Sequence, residues 1–151
     1  MAKSLGGGLP LGAFLTSLEL SRHLANDPPL GHVTTFGGNP VSCAAGLAAL
    51  DVLEDLDLPR RSAELGEEAR ARLARRIGGG LVDVRGIGLL LGLEFDSPRR
   101  VTAFTEQCRA RGLLLGWTLN EDRVIRLAPP LNIDRADLDH ALGAFEEILD
   151  G

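Results

Sequence analysis

The longest regular pattern of apolar positions follows Asn39 and Pro40. Asparagine can cap a helix, and proline suits the first helical position because its nitrogen needs no intrahelical partner there. From Pro40 to Leu56, apolar residues recur at steps of three and four, as an amphipathic helix requires. We therefore predict one long helix over this stretch, ended by Pro59.

The remainder of the chain alternates helical and strand-like patterns. Apolar residues at helical spacing predict three further helices, at residues 60–77, at 99–111 and after an Asp134 cap. Short apolar runs bounded by turn residues predict four strands, at residues 81–85, 89–95, 113–117 and 124–127. We therefore expect residues 57–151 to form an α+β domain around its own hydrophobic core.

Residues 1–39 are rich in glycine and proline and have a different character. Their apolar residues predict only a short buried strand at 11–15 and a short helix at 17–24. So few periodic apolar residues do not make an independent core. We therefore expect residues 1–56 to belong to a larger domain.

Composition narrows the class of protein. Apolar residues make up 44% of the chain and charged residues 25%, which indicates a folded domain rather than a disordered one. The formal net charge of −5 argues against a nucleic-acid partner, because phosphate binding needs clustered cations. No apolar run approaches the length of a membrane span, and the first residues lack the pattern of a secretory signal.

Cysteine usage indicates a reducing location. Cys43 and Cys108 are too few for a disulfide framework, and both are expected to be small core residues. We therefore predict a cytoplasmic protein. No set of metal ligands stands out in the sequence, and no metal is expected.

Lys3 is the first candidate for chemistry. It is the only lysine among the 16 lysine and arginine residues of the chain. Three glycines, at residues 6–8, follow it closely and allow the backbone to approach a ligand. A lysine amine in a suitable environment can form a Schiff base with an aldehyde. A surface lysine beside a glycine loop would give the same pattern, so the residues alone leave both interpretations open.

Two hydroxyl residues, Thr34 and Thr35, precede the predicted helix at Asn39, and two glycines lie between. Hydroxyls and backbone N–H groups in such a place can bind an anion such as phosphate. An ordinary capped loop is the alternative. His32 is expected to be a loop histidine rather than a catalytic base.

Arg126 is a charged residue inside the apolar run at 124–127, shortly before two prolines. A guanidinium in this place needs a partner, because burial of an unpaired charge is costly. A substrate carboxylate held at two points would serve. A carboxylate of the protein itself, such as Glu94, would serve equally well, and the residues alone favour that structural pair.

Four stretches of the chain together resemble the class-III aminotransferases, the group that includes acetylornithine, ornithine and 4-aminobutyrate aminotransferases. They are AKSLGGGLPLGAF at 2–14, TTFGGNPVSCAAGLAAL at 34–50, VRGIGLLLGLEF at 84–95 and IRLAPPLNI at 125–133. The stretches occur in the family's order and at about its spacing. The resemblance implies an α/β protein of fold type I. Residues 1–56 would then come from the large cofactor domain, including its long linking helix, and residues 57–151 would form the small C-terminal α+β domain.

The resemblance also implies a cofactor, pyridoxal 5′-phosphate (PLP), and a role for each candidate residue. Lys3 matches the lysine that holds the cofactor as a Schiff base and then moves the proton of the substrate's α-carbon. Thr35, with Thr34 beside it, matches the threonine that reaches the cofactor phosphate of the neighbouring subunit, which implies a homodimer. Arg126 matches the arginine that binds the substrate's α-carboxylate.

The implied activity is transamination between an amino acid, or an ω-amino acid, and a 2-oxo acid. In the family, the phosphate-binding turn, the aromatic residue that stacks on the cofactor and the aspartate at its ring nitrogen all precede this lysine. We therefore expect Met1 to be an internal methionine or a misplaced start, and the 151-residue chain to be inactive alone. Two alternatives stay open: a related class-III enzyme such as an aminomutase or decarboxylase, and a non-catalytic remnant domain.

Overall fold

The computed structural model describes residues 1–26, 29, 31, 33–117 and 120–151. The chain divides into two compact units, Met1–Leu56 and Asp57–Gly151. The described helices are a 3₁₀ helix at Lys3–Gly6 and α1 Leu18–Asn26, α2 Pro40–Asp55, α3 Leu58–Ala74, α4 Pro98–Ala110 and α5 Arg135–Asp150. The described strands are β1 Leu81–Ile87, β2 Leu90–Phe95, β3 Gly116–Trp117 and β4 Val124–Leu127.

Helix α2 dominates the first unit and begins as its sequence predicts. The side-chain oxygen of Asn39 accepts hydrogen bonds from the backbone N–H groups of Val41 (3.0 Å) and Ser42 (3.3 Å), and Pro40 occupies the first turn. The helix ends at Asp55, before Pro59, which lies instead in the first turn of α3. The prediction of a capped long helix is therefore confirmed.

Two expectations for the first unit are wrong. Residues 11–15 form no strand. Leu11 packs instead against α2, where a Cβ added at Gly46 would lie 2.5 Å from the Cδ2 atom of Leu11. Cys43 is only half-buried, because it lies on α2 in a unit that buries few side chains. The predicted short helix is present as α1.

The second unit is an antiparallel sheet covered by helices on one face. The strand order is β1-β2-β4-β3, and every neighbouring pair is antiparallel. Side chains alternate along β2, so Leu91, Leu93 and Phe95 are buried while the residues between them are more exposed. The opposite face of the sheet, called the open face below, carries the side chain of Glu94 and the backbone of Gly92.

Helices α3, α4 and α5 supply the other half of this core. Leu73 from α3, Cys108 from α4 and Phe145 from α5 belong to the same buried cluster as the strand residues. Phe104 links the layers, with ring centroids 5.3 Å from Phe95 and 5.7 Å from Phe145. The α+β prediction and the buried position of Cys108 are confirmed.

Strand β3 is shorter than predicted, because residues 113–115 have no strand partner and only Gly116 and Trp117 pair with β4. Within the described part of the chain, no helix combines the length and the apolar content that crossing a membrane requires.

Candidate active-site residues

The backbone of Lys3 adopts a conformation that is unusual for a residue with a side chain. Its φ angle is 58°, in the left-handed region that normally favours glycine. It opens the 3₁₀ helix, which Gly7 ends in the same left-handed region while donating its N–H to the Ser4 carbonyl at 3.0 Å. Such strain costs roughly 1–3 kcal/mol and is found most often at functional sites. Asp57, which precedes α3, has a φ angle of 45° as well, so this conformation does not by itself mark Lys3 as a functional residue.

Glycines hold the Lys3 segment against helix α2. A Cβ at Gly7 would lie 3.2 Å from the carbonyl oxygen of Ala45, which lies in the second turn of α2. A Cβ at Gly46 would lie 3.2 Å from the carbonyl oxygen of Leu5. The close approach of the two backbones therefore depends on glycine on both sides. It places Lys3 at the start of a segment whose position is set by α2.

The Lys3 side chain is exposed. Among the described residues, no carboxylate forms an ion pair with its amine and no acceptor binds it; the neighbouring amino group of Met1 donates instead to the carbonyl oxygen of Ala13 at 2.6 Å. The amine is therefore not committed to a structural interaction in that part of the chain. A primary amine in this state fits the carbonyl end of an aldehyde cofactor.

Thr34 and Thr35 lie in the turn that leads into α2, and both are exposed. The Thr34 carbonyl accepts the N–H of Gly37 at 3.4 Å, and a Cβ at Gly37 would lie 2.5 Å from the Thr34 hydroxyl oxygen. Glycine at position 37 thus leaves the Thr34 hydroxyl uncovered. No hydrogen bond joins Lys3 to either threonine in the described residues. The expectation for His32 falls outside the described residues.

The side chain of Asn39 occupies backbone N–H groups that the sequence analysis expected to bind an anion at this turn. Its side chain already accepts the N–H groups of Val41 and Ser42, the donors that a helix N-terminus would otherwise offer to a phosphate. An anion at this turn would therefore depend on the hydroxyls of Thr34 and Thr35 rather than on the first amides of α2. Two exposed hydroxyls beside glycines fit one end of a phosphate group.

Arg126 lies on the middle of β4, with its side chain exposed between the buried Ile125 and Leu127. It pairs with Gly92 on β2 and with Gly116 on β3. A Cβ at Gly116 would come 3.0 Å from Nη2 and 3.1 Å from Nε of Arg126, so the guanidinium lies over that glycine. Glycine on the β3 side is therefore what leaves room for the guanidinium.

The sequence-based pairing of Arg126 with Glu94 is wrong. Glu94 Oε2 lies 2.6 Å from Nη1 of Arg85, and Glu94 Oε1 lies 3.5 Å from Nη2 of Arg123. Arg126 forms no ion pair or hydrogen bond with any described residue through its guanidinium. The reason is geometric: Arg85 on β1 and Arg123, just before the start of β4, bind the two oxygens of Glu94, while the Arg126 guanidinium lies over Gly116 on β3.

Arg85 and Arg123 each have a second carboxylate partner besides Glu94. Hydrogen bonds to Asp83 first and Glu94 second raise the pKa of the Arg85 guanidinium above its ordinary value. A hydrogen bond to Glu121 also raises the pKa of the Arg123 guanidinium above its ordinary value, and the negative charge of Glu94 adds a smaller increase. The sequence analysis did not identify Arg85 and Arg123 as partners of Glu94. The alternation of side chains along the strands could have indicated that Arg85 projects from the same face of the sheet as Glu94.

Arg126 also borders a cavity of about 500 Å³ in the second unit. Most of its lining is apolar, and three lining residues carry ionisable side chains: Arg126, Asp137 and His140. The apolar lining comes mainly from residues 113–115, from the segment 127–133 and from helix α5. The core residues Leu91 and Phe145 also line it, so the cavity extends on the helix-covered side of the sheet.

The sequence as a whole matches one family model, described as aminotransferase class-III, over residues 1–149. The chain belongs to the class-III aminotransferases. It is 41% identical to ornithine aminotransferase 2 of Staphylococcus saprophyticus over an aligned length of 151 that covers 99% of this chain and 36% of the relative. It is 40% identical to acetylornithine aminotransferase 1 of Bordetella parapertussis, over 92% of this chain and 34% of that protein. The chain thus spans about a third of the length of these relatives.

Solved structures of this family share the fold. An ornithine aminotransferase from Toxoplasma gondii, described with partial occupancy of PLP at its active site, has a TM-score of 0.87 and 32% identity, covering 98% of this chain and 35% of that one. A phospholyase from Arthrobacter in complex with phosphoethanolamine also has a TM-score of 0.87, with 34% identity over 97% of this chain and 37% of its own. The α/β class-III fold predicted from the sequence is confirmed.

The two units of this family member carry different candidates. Lys3, Thr34 and Thr35 belong to the first unit, and Arg126 belongs to the second.

Proposed function

We propose that this chain carries part of the active site of a PLP-dependent aminotransferase that moves an amino group between an amino acid, or an ω-amino acid, and a 2-oxo acid. The observation that carries the proposal is the state of Lys3: it is the only lysine of the chain, its backbone is in the left-handed region, and its amine has no partner among the described residues. The unit Met1–Leu56 would be the remnant of the large cofactor domain, and Asp57–Gly151 the small domain.

When bound, PLP supplies an aldehyde that can join an amine and an aromatic ring that withdraws electrons from the substrate. Lys3 would hold the cofactor covalently through Nζ. Once an amino-acid substrate has displaced it, the same Nζ would move the proton of the substrate's α-carbon as a general base and then a general acid. Thr35, with Thr34 beside it, would bind the phosphate of the cofactor held by the neighbouring subunit, through their hydroxyls.

Arg126 would bind and orient the substrate. A planar guanidinium can contact both oxygens of a carboxylate at once, which holds the rest of the substrate in one orientation. The absence of an ion pair at Arg126 within the described residues supports this role, as does the room that Gly116 leaves around the guanidinium. We assign to Arg126 the α-carboxylate of amino-acid and 2-oxo-acid substrates.

The active assembly in this proposal is larger than one 151-residue chain. The chain spans 36% of the length of its staphylococcal relative, and Phe14, Leu15 and Phe36 of the first unit are 68%, 85% and 81% exposed. Apolar side chains this exposed favour further protein packed on the unit. We propose a homodimer for the complete enzyme, in which Thr35 serves the neighbouring subunit, and an inactive chain in isolation. The two free cysteines support a cytoplasmic location.

A different reaction on the same cofactor is the second candidate. The Arthrobacter phospholyase has the same TM-score as the ornithine aminotransferase, so the fold is compatible with chemistry other than amino transfer. Transamination is preferred because the curated relatives at 40–43% identity are named aminotransferases. A non-catalytic remnant domain is the remaining alternative, and it predicts no selective reaction at Lys3.

The test of the proposal uses the fact that the chain has only two kinds of primary amine, Lys3 and the amino group of Met1. The chain is incubated with a limiting amount of PLP, reduced with borohydride, digested and mapped by mass spectrometry. We expect the label on Lys3 to exceed that on Met1 severalfold, and unfolding in urea to abolish the preference. Equal labelling of both amines in the folded chain would contradict the proposal.

A further inference from the structure

Four paired positions form a row across the sheet of the second unit. Arg85 on β1 pairs with Gly92 on β2, Gly92 with Arg126 on β4, and Arg126 with Gly116 on β3. The row alternates arginine with glycine, and the glycines carry no side chain that could cover either guanidinium. The residues paired with Arg126 on both neighbouring strands therefore have no side chain that could bind it, and its guanidinium lies over Gly116.

A carboxylate nevertheless lies within reach of Arg126. Glu94 pairs with Val124, which is two residues from Arg126 along β4. Residues two apart on a strand project from the same face, so Glu94 and Arg126 share the open face. Diagonal neighbours on a sheet are about 7–8 Å apart, a distance that two long side chains can bridge. Without other partners, Glu94 would be the natural counter-ion of Arg126.

Two other arginines bind Glu94 instead. Arg85 contacts its Oε2 at 2.6 Å, and Arg123 contacts its Oε1 at 3.5 Å. Each oxygen of this carboxylate thus has its own guanidinium. The Glu94 side chain is only 20% exposed, which limits the orientations it can take. Asp83 and Glu121, the additional partners of Arg85 and Arg123, hold these two arginines in place.

We propose that Arg85 and Arg123 are positioning residues that keep the Glu94 carboxylate away from Arg126, so that the Arg126 guanidinium stays available to a carboxylate ligand. The inference rests on the carboxylate-binding role proposed above for Arg126. Its physical basis is competition between like groups: a carboxylate bound by two guanidiniums has little to gain from a third. In the part of the chain that the structure describes, loss of both arginines would leave Arg126 as the arginine within reach of Glu94.

The experiment follows the Nε–Hε resonance of Arg126 in the isotopically labelled 151-residue chain by NMR. Arg126→Lys assigns the resonance. Acetate is the carboxylate probe, titrated at constant ionic strength, and acetamide is its uncharged match. Three proteins are compared: the wild type, the double variant Arg85→Gln/Arg123→Gln, and the triple variant that adds Glu94→Gln. Circular dichroism and thermal unfolding establish that each is folded.

In the wild type, acetate should shift the Arg126 resonance and acetamide should not. In the double variant, the resonance should be displaced before any acetate is added, because Glu94 now binds Arg126. Its apparent affinity for acetate should fall about three- to fivefold, as expected for competition from an exposed ion pair. The triple variant should return both the resonance and the affinity to their wild-type values. If Arg85 and Arg123 were merely structural, removing the Glu94 charge in the triple variant would not restore the resonance or the acetate affinity of Arg126.

A double variant with the wild-type resonance and affinity would overturn the inference, as would a triple variant that fails to recover. If the double variant does not fold, Arg85→Gln and Arg123→Gln are measured singly, since each frees one oxygen of Glu94. No displacement in either single variant would also overturn it. If acetate does not shift the Arg126 resonance of the wild-type chain, the carboxylate-binding role in the proposed function is contradicted. The spectra recorded without acetate would then still show whether Glu94 moves to Arg126 in the double variant.

Discussion

The backbone of Gly66 on α3 lies directly against the carbonyl group of Gly88, in the turn between β1 and β2, with no room for a Cβ between them. Ser62, one turn earlier on α3, accepts the N–H of Leu89 at 3.0 Å and fixes the same contact. The helix therefore approaches the sheet closely at a point where both partners are glycine. This contact orients the turn from which β2 begins.

Replacing Gly66 with alanine should destabilise the second unit. The added methyl group meets backbone rather than a flexible side chain, so the helix must move, at a cost of about 1–3 kcal/mol in the free energy of unfolding. Gly143→Ala on α5 is the matched control, because nothing lies within 4 Å of its added Cβ. Alanine there should leave stability unchanged or raise it by up to about 1 kcal/mol. Urea unfolding of both variants provides the comparison, and equal effects would refute this account of the contact.

Arg126→Lys should weaken carboxylate binding although it keeps the positive charge. Lysine lacks the planar fork that contacts both carboxylate oxygens, so the affinity of the chain for acetate should fall by roughly tenfold. Arg99→Lys is the control, since Arg99 is an exposed arginine on α4. Isothermal titration or NMR gives the affinities. Unchanged binding in Arg126→Lys would mean that the guanidinium geometry is not used.

The ion pair between Arg72 and Glu146 should make stability depend on pH in the acid range. Nε and Nη2 of Arg72 contact the two oxygens of Glu146 at 3.2 and 2.9 Å, and this hydrogen bonding lowers the pKa of Glu146 below its ordinary 4.5. Because the folded pKa is the lower one, the contribution to stability is complete above about pH 4.5. It is lost as the pH falls through the folded value.

Glu146→Gln should therefore lower the free energy of unfolding by about 1 kcal/mol at pH 7, and its difference from the wild type should shrink below pH 4.5. The neighbouring exposed Glu147→Gln variant serves as the control and should show little effect. Urea titrations at pH 7, 4 and 3 measure both. A difference that stays constant over this range would exclude the ionised pair as its cause.

Cys108 should be unreactive in the folded chain. It is completely buried in the core, and this burial raises the pKa of its thiol to about 11. Only about one molecule in a thousand would carry the thiolate at pH 8. In a Cys43→Ser variant, a disulfide reagent should modify Cys108 only as fast as the second unit opens, and urea should remove the protection. Rapid modification under native conditions would contradict the packing described for α4.

The 151-residue chain, given PLP, an amino acid and a 2-oxo acid, should show no sustained amino transfer. The chain spans about a third of the length of its relatives, and its first unit leaves large apolar side chains exposed, so we expect that the proposed roles of Lys3, Thr34, Thr35 and Arg126 need the rest of an enzyme. Product is measured by chromatography over many equivalents, with a full-length class-III aminotransferase as the positive control. Turnover by the chain alone that disappears in Lys3→Arg would show that this expectation is wrong.

Features that depend on neighbours in the chain could be predicted from the sequence. The cap at Asn39, the helix that follows it and the apolar faces of α3, α4 and α5 all arise from spacing along one element. The four motifs also led to the class-III family, which the comparison with known proteins confirms. The roles of Lys3, Thr34, Thr35 and Arg126 in that family remain predictions.

Contacts between distant residues were decided only by the tertiary structure. Residues 11–15 have the composition of a strand, yet Leu11 packs against Gly46 on α2 instead. Glu94 is suited by charge to Arg126, yet Arg85 and Arg123 bind it. Spacing along the chain indicates which charged side chains could form ion pairs. Strand register and competition among several arginines determine which of these pairs form in the folded chain.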